Sequence, residues 1–516
     1  MLSPLFARCS LLGAFALSLT CALPLQAQSD HPELRIATSF TIGSMNPWED
    51  GFWMQEFGQA ELLMQFRDDG QHHPWLLESL TNTDPLTWVL TLRDGLSFQN
   101  GKAVDAAAVV AAITAALDHS SSAQGAVPDD ASFSVTGPLE ITLTTTAPWP
   151  EVPGVLADEA VFLILDADAV SAVDEDWPAL VGAGIYTGPY EVTALTDQAM
   201  TATAYDGYWQ GTPALPALTV SFVADPNARI LAVQNDEADI ALYPPLAARP
   251  AVDATPGVHF NIGALGTGGF IGFMNVKTGV MADVDVRRAV LHAVDYREIA
   301  DDVFRGGLGQ ATSFYAANLP FALENYSTDP ETAALMLDAA GWEAGPDGMR
   351  SKDGARLEVT LAIYPQQPDL VPLSTAVQAQ LARAGIAVNV VSFDGINDAL
   401  LAPDTRWDLA IVSSGTAGYG KVQTFLDAYL LPGARRNYGG YDNAEINATV
   451  QALATEADPD ARLAMRHRIQ TILWDEDPYA FAFNIHKGRV IVNDRYACYQ
   501  PGYALYHVSW QTAPCE

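Results

Sequence analysis

Gly415, Gly420 and Lys421 spell G-x-x-x-x-G-K within "SGTAGYGKV" (residues 414–422), the opening seven positions of a phosphate-cradling loop. Such a loop closes with a Ser or Thr whose hydroxyl holds the magnesium ion between the phosphates. Val422 stands there and has no oxygen to offer, so nucleotide hydrolysis lacks a necessary group. Ser413 and Ser414 follow the apolar run "WDLAIV" but lack the G-x-S-x-G elbow of a hydrolase nucleophile. His72 and His73 are adjacent in "QHHPW". Adjacent residues of extended chain point to opposite faces and seldom share an ion, and the pair reads as a solvated loop. No H-E-x-x-H and no Cys/His cluster at zinc spacing occurs. No directly bound metal, no cofactor and no catalytic residue is expected. A metal held inside a small organic chelator stays open, because the chelator supplies the ligands.

What these residues suit is binding. Lys421 is one of only five lysines beside 21 arginines. As a cation in a glycine-rich loop it would pair with an anionic group of a solute and repel an ammonium, while Tyr419 stacks on the solute. Ser413 and Thr416 sit in the same loop. The alternative for Lys421 is a solvated surface lysine. A second candidate is "GSMNPWEDGFWMQ" (residues 43–55), where Trp48, Phe52, Trp53 and Met54 crowd together. Aromatic side chains give a large contact area at small entropic cost; they serve a core equally well.

The elements that must position the loop are legible. "TDPETAALMLDAAGW" carries Asp329 as N-cap, Pro330 at the first helical position and Gly341 past the end. Then come a strand ("RLEVTLAIYP"), an amphipathic helix ("LVPLSTAVQAQLARAG"), a strand ("IAVNVVSF"), a short helix ("GINDALLA") and a third strand ("WDLAIVSS"). This β-α-β-α-β alternation implies parallel strands with right-handed crossovers. Loops leaving the C-terminal ends of such strands form a ligand crevice, and residues 413–421 are the loop after the third strand. A later helix, capped by Asp458, should bury Met465, Ile469, Ile472 and Leu473. The first half is richer in strands.

The chain's 516 residues imply two or three domains, with 49% apolar and 17% charged residues. A formal charge of −36 argues against nucleic acid and anionic lipid as partners. Residues 1–27 read as a signal peptide: Arg8, an apolar stretch from Leu11 to Leu19 too short to span a bilayer, and cleavage after Ala27. A lipid anchor at Cys21 is a poorer match, because "SLT" precedes it. Two cysteines then remain, Cys498 and Cys515, and an oxidising compartment favours a disulfide between them.

Six stretches, in order, resemble one family: the extracellular solute-binding proteins of the peptide and nickel class, family 5, which feed ATP-binding-cassette importers. They are "TWVLTLRDGLSFQNGKAVDAAAVVAAI", "YTGPYEV", "YDGYWQGTP", "VADPNARILAVQNDEADIA", "DVRRAVLHAVDYREIADDVFRGG" and "DPETAALMLDAAGW". The resemblance implies an α/β fold of two lobes with an extra subdomain inserted in the first. The boundaries are residues 28–60, 183–262 and 487–516 for the first lobe, 61–182 for the inserted subdomain, and 263–486 for the second lobe. It implies a periplasmic monomer that swallows a small solute or peptide by hinge closure and presents it to a membrane permease and its ATPase. Peptide-binding relatives carry an Asp in the loop after the third strand, and nickel-type relatives a His on the strand before it. Here Lys421 stands near the first position and Ser413 near the second, so an amino-terminal peptide clamp is in doubt.

Overall fold

The computed structural model describes residues 32–502 and 508–516. The expected signal peptide, with Cys21, lies outside the described residues. Among those described, no helix is long and apolar enough to cross a membrane.

The β-α-β-α-β half forms as its pattern dictates. Strands Glu358–Ile363, Ala387–Ser392 and Leu409–Gly415 pair in parallel in a five-stranded sheet. Helix Leu370–Arg383 buries Leu370, Leu373, Val377 and Leu381, one stripe at helical spacing. Two strands complete the sheet: Gly268–Met274 runs antiparallel to both Leu409–Gly415 and Ala480–Ala482. Helix Pro459–Thr471 differs from its expected stripe. Ile469 is buried, with Ile472 and Leu473 just past the helix end, but Met465 is half-buried, and Arg462 and Gln470 take buried positions. The reason is polar: the Arg462 guanidinium donates to the Leu453 carbonyl (2.8 Å) and to Glu151 (2.6 Å).

A seven-stranded sheet gathers distant parts of the chain. Leu34–Thr38 lies at its centre, parallel to Ala217–Phe222 and Ile240–Leu242. Lys487–Asn493 runs antiparallel to Ile240–Leu242 and Val258–Leu265. Asp239, fully buried, holds the three parts together: it accepts from Arg35 (2.9 Å) and from Asn493 (2.9 Å). A buried carboxylate persists only when paired in this way. A third, four-stranded antiparallel sheet contains Leu77–Asp84, Thr87–Leu92, Glu140–Thr144 and Ser132–Gly137. Helix Ala106–His119, capped by Asp105 through the Ala108 amide (2.9 Å), packs on it.

His72–Pro74 is a strand, paired with Met64–Phe66, and not the loop its sequence suggests. The two imidazoles do point apart. His73 Nε2 meets Asp69 (2.8 Å), and His72 Nε2 meets the Tyr419 carbonyl (2.7 Å). Cys498 and Cys515 are bonded, with Cα atoms 5.8 Å apart, and tie the last described residues to the seven-stranded lobe.

Candidate functional site

Two chain crossings join the lobes. Val258–Leu265 of the large sheet passes through Gly266 and Thr267 into Gly268–Met274 of the other, and Asn484–Ile485 passes through His486 into Lys487–Asn493. The crossings are hydrogen-bonded to each other: the Gly266 amide donates to the His486 carbonyl (2.7 Å) and the His486 amide to the Gly268 carbonyl (2.8 Å). A pair of short strands with glycines at the passage is a geometry that can bend without losing its ladder.

A cleft of about 570 Å³ opens beside this hinge, within the size range of small-molecule sites. Ser39 and Tyr243 line it from one lobe, Phe270, Gln366 and Ser413 from the other, and His486 from the crossing. His486 packs edge-on to Phe270 at 4.8 Å, and burial pushes its imidazole down to about 4, so the ring is neutral near pH 7. The two arginines of the cleft already have partners. Arg229 donates to the carbonyls of Val223 (2.7 Å) and Leu242 (3.1 Å), and Arg489 bridges the cleft to Asp369 at 2.9 Å. A groove of about 600 Å³ bordered by Trp149, Lys421 and Asp427 has no lining residue from the seven-stranded sheet.

Of the eight residues the sequence offers as solute contacts, Ser413 lines this cleft. Thr416 is buried and its hydroxyl donates to the Thr267 carbonyl (3.0 Å), which fixes the loop to the hinge. Met54 is fully buried in the core of the first lobe. Trp53 stacks on Phe40, with centroids 3.2 Å apart. Trp48 and Phe52 line a second, smaller cavity of about 210 Å³.

Lys421 is the sharpest correction. It is neither solvated nor directed at the cleft: it is only 9% exposed and its ammonium pairs with Asp158 of the four-stranded subdomain. Tyr419 donates its hydroxyl to Glu159 beside it. Arg462 and Arg466 both reach Glu151. The glycine-rich loop is thus a docking element between the inserted subdomain and the second lobe. Its backbone is set for that contact. Tyr419 has φ +52° and Gly420 φ +72°, a left-handed pair that costs Tyr419 on the order of 1 kcal/mol. A Cβ on Gly420 would come within 2.8 Å of Phe66 and 2.9 Å of His72.

Burial pushes the Glu159 carboxyl up to about 7. Glu56 is also held well above its ordinary range by burial, although the Tyr243 hydroxyl donates to it (2.9 Å). Neither acid is singled out by sequence reasoning, nor is His486. The one local signal is that Asp158 and Glu159 interrupt two apolar runs, "GVLA" and "AVFLIL". Carboxylates between two apolar runs stay buried only when they are paired.

The chain belongs to the bacterial extracellular solute-binding proteins, family 5 (Middle), whose pattern it matches over residues 71–437. It is 25% identical over 438 residues to the nickel-binding protein NikA of Staphylococcus aureus, covering 84% of each chain. It is 24% identical over 414 residues to the glutathione-binding protein GsiB of Salmonella paratyphi A, covering 77% of each. The solved nickel ABC transporter structure from Bacillus halodurans superposes with a TM-score of 0.76 at 26% identity, over 89% of this chain and 95% of that one.

Proposed function

We propose that this protein is the substrate-binding component of an ATP-binding-cassette importer, capturing a small peptide-like solute between its lobes and presenting it to a membrane permease. The observation that carries the reading is the 570 Å³ cleft with walls from both lobes, placed at a two-strand hinge. Closure about such a hinge buries the solute and changes the outer surface that a permease meets. Membership of family 5 and similarity to binding proteins named for nickel and glutathione support it. We take the protein to be exported and to act as a monomer outside the cytoplasm, with the lobe boundaries at residues 60/61, 182/183, 262/263 and 486/487. The reading involves no bond-making.

A second reading, capture of nickel or another metal as an organic chelate, is favoured by one feature. His486 presents a neutral imidazole to the cleft, which could complete the coordination of a partly chelated metal. Native mass spectrometry of the exported protein separates the two: a retained peptide supports the first, a retained metal complex the second. Exported protein that retains nothing and binds neither peptides nor nickel–histidine would refute both.

A further inference from the structure

Glu159 lines the 210 Å³ cavity with Trp48, Phe52, Ser120 and Ser122. It is 8% exposed. One carboxylate oxygen accepts from Tyr419, and the other, Oε2, is buried and makes no hydrogen bond with any described residue. An uncompensated carboxylate oxygen in a cavity is costly unless something fills the cavity and supplies a donor or a positive charge. The nearest candidate, Lys421, is paired with Asp158. Among the described residues lining the cavity the other charged one, Glu49, is acidic, and burial followed by the charge of Asp158 raises the Glu159 carboxyl.

The walls add to this. Phe52 packs on Trp53 (centroids 4.0 Å), Trp53 on Phe40 (3.2 Å), and Phe40 lies 6.1 Å from Tyr243, which lines the main cleft. A continuous row of aromatic rings therefore runs from the main cleft to the cavity at Glu159. Aromatic faces beside a carboxylate are the surroundings that attract an ammonium or guanidinium group and that repel an anion.

We propose that this cavity is the end of the solute site that recognises an organic cation, with Glu159 as counter-ion and Trp48 and Phe52 as its aromatic walls. The proposal rests on the solute-capture reading and reverses the anionic preference that Lys421 suggests in the sequence.

The test uses three N-acetylated, C-amidated tripeptides, Ala-Lys-Ala, Ala-Gln-Ala and Ala-Glu-Ala, which differ only in side-chain charge. Each is titrated calorimetrically into the exported protein at about pH 8. The lysine peptide should bind roughly tenfold to hundredfold more tightly than the other two, the worth of one charge-assisted hydrogen bond. Glu159→Gln, which keeps the volume and the bond from Tyr419, should erase the preference, and Trp48→Leu should weaken it. Equal or reversed preference in the unaltered protein, or a preference that survives Glu159→Gln, overturns the cation assignment while solute capture stands. If none of the three binds, the solute released from purified protein decides: a cationic one supports the assignment and an anionic or neutral one overturns it. No binding and no released solute overturns the capture reading, and the cation assignment with it.

Discussion

Replacing Lys421 by Met tests how the inserted subdomain is held against the second lobe. The ammonium and the Asp158 carboxylate retain 10% and 13% side-chain exposure. At an effective dielectric near 20 such a pair attracts by about 4 kcal/mol, and desolvation offsets most of that. Removing one partner is a different matter, because the other stays buried without its countercharge, at about 3 kcal/mol. Lys421→Met should therefore lower the unfolding free energy by about 3 kcal/mol. Asp158→Asn should do likewise, since its Oδ1 can still accept from the Ala160 amide (2.9 Å) while Lys421 loses its partner. The double variant should recover much of the loss, because no charge is then left alone. Urea unfolding of the four proteins gives the cycle. If both single variants lie within about 0.5 kcal/mol of the parent and the double is additive, the pair is a loose surface contact and the docked loop is misassigned.

Glu61 gives a pH test. It is 5% exposed and accepts from Trp75 (2.8 Å), Tyr208 (2.8 Å) and Trp209 (3.2 Å), yet burial pushes it up to about 7. A raised carboxyl stabilises the fold at low pH and loses that contribution as pH climbs from about 4.5 to about 7, here roughly 3 kcal/mol. Because burial lowers His72 and His486, which act in the opposite sense, the measurement is the difference from Glu61→Gln. That variant should gain on the parent between pH 5 and 8 in chemical unfolding, and a constant difference would refute the shift. Free-thiol counting on unfolded, unreduced protein should find neither Cys498 nor Cys515, and Cys515→Ser should cost about 3 kcal/mol for a loop of this length; two reactive thiols would contradict the bridge.

The sequence is most legible where structure is local. The helix ending at Arg383 and the parallel strands around it carry their own periodicity, with Gly385 stopping the helix, so their order is read directly. The seven-stranded sheet was not readable in this way, because Leu34–Thr38 finds its neighbours near residues 220 and 240 and nothing in the strand names them. The same holds for the site. Lys421 was recognisable as an unusual cation in a special loop, but its partner is 263 residues away. A periodic pattern cannot show that a charge is met by another rather than by a solute. Thr416 fails likewise: its hydroxyl is engaged by the Thr267 carbonyl, a contact created by strand pairing. The aromatic segment was legible as a cluster. Its division between the buried Met54 and the cavity-lining Phe52 follows from their spacing of two residues on the helix Gly51–Glu56, which sets them on opposite sides, while the Asn46 side chain accepts from the Trp48 amide (3.0 Å) in the turn before it.

Closure of the two lobes on a solute is tested most directly by small-angle X-ray scattering. The exported protein is stripped of solute by unfolding and refolding, then measured alone and after its co-purified solute is returned at saturation. The account predicts a smaller radius of gyration and a shorter maximum dimension in the loaded protein, as the hinge at Gly266 and His486 bends and the cleft closes. Identical scattering curves at confirmed saturation would contradict it.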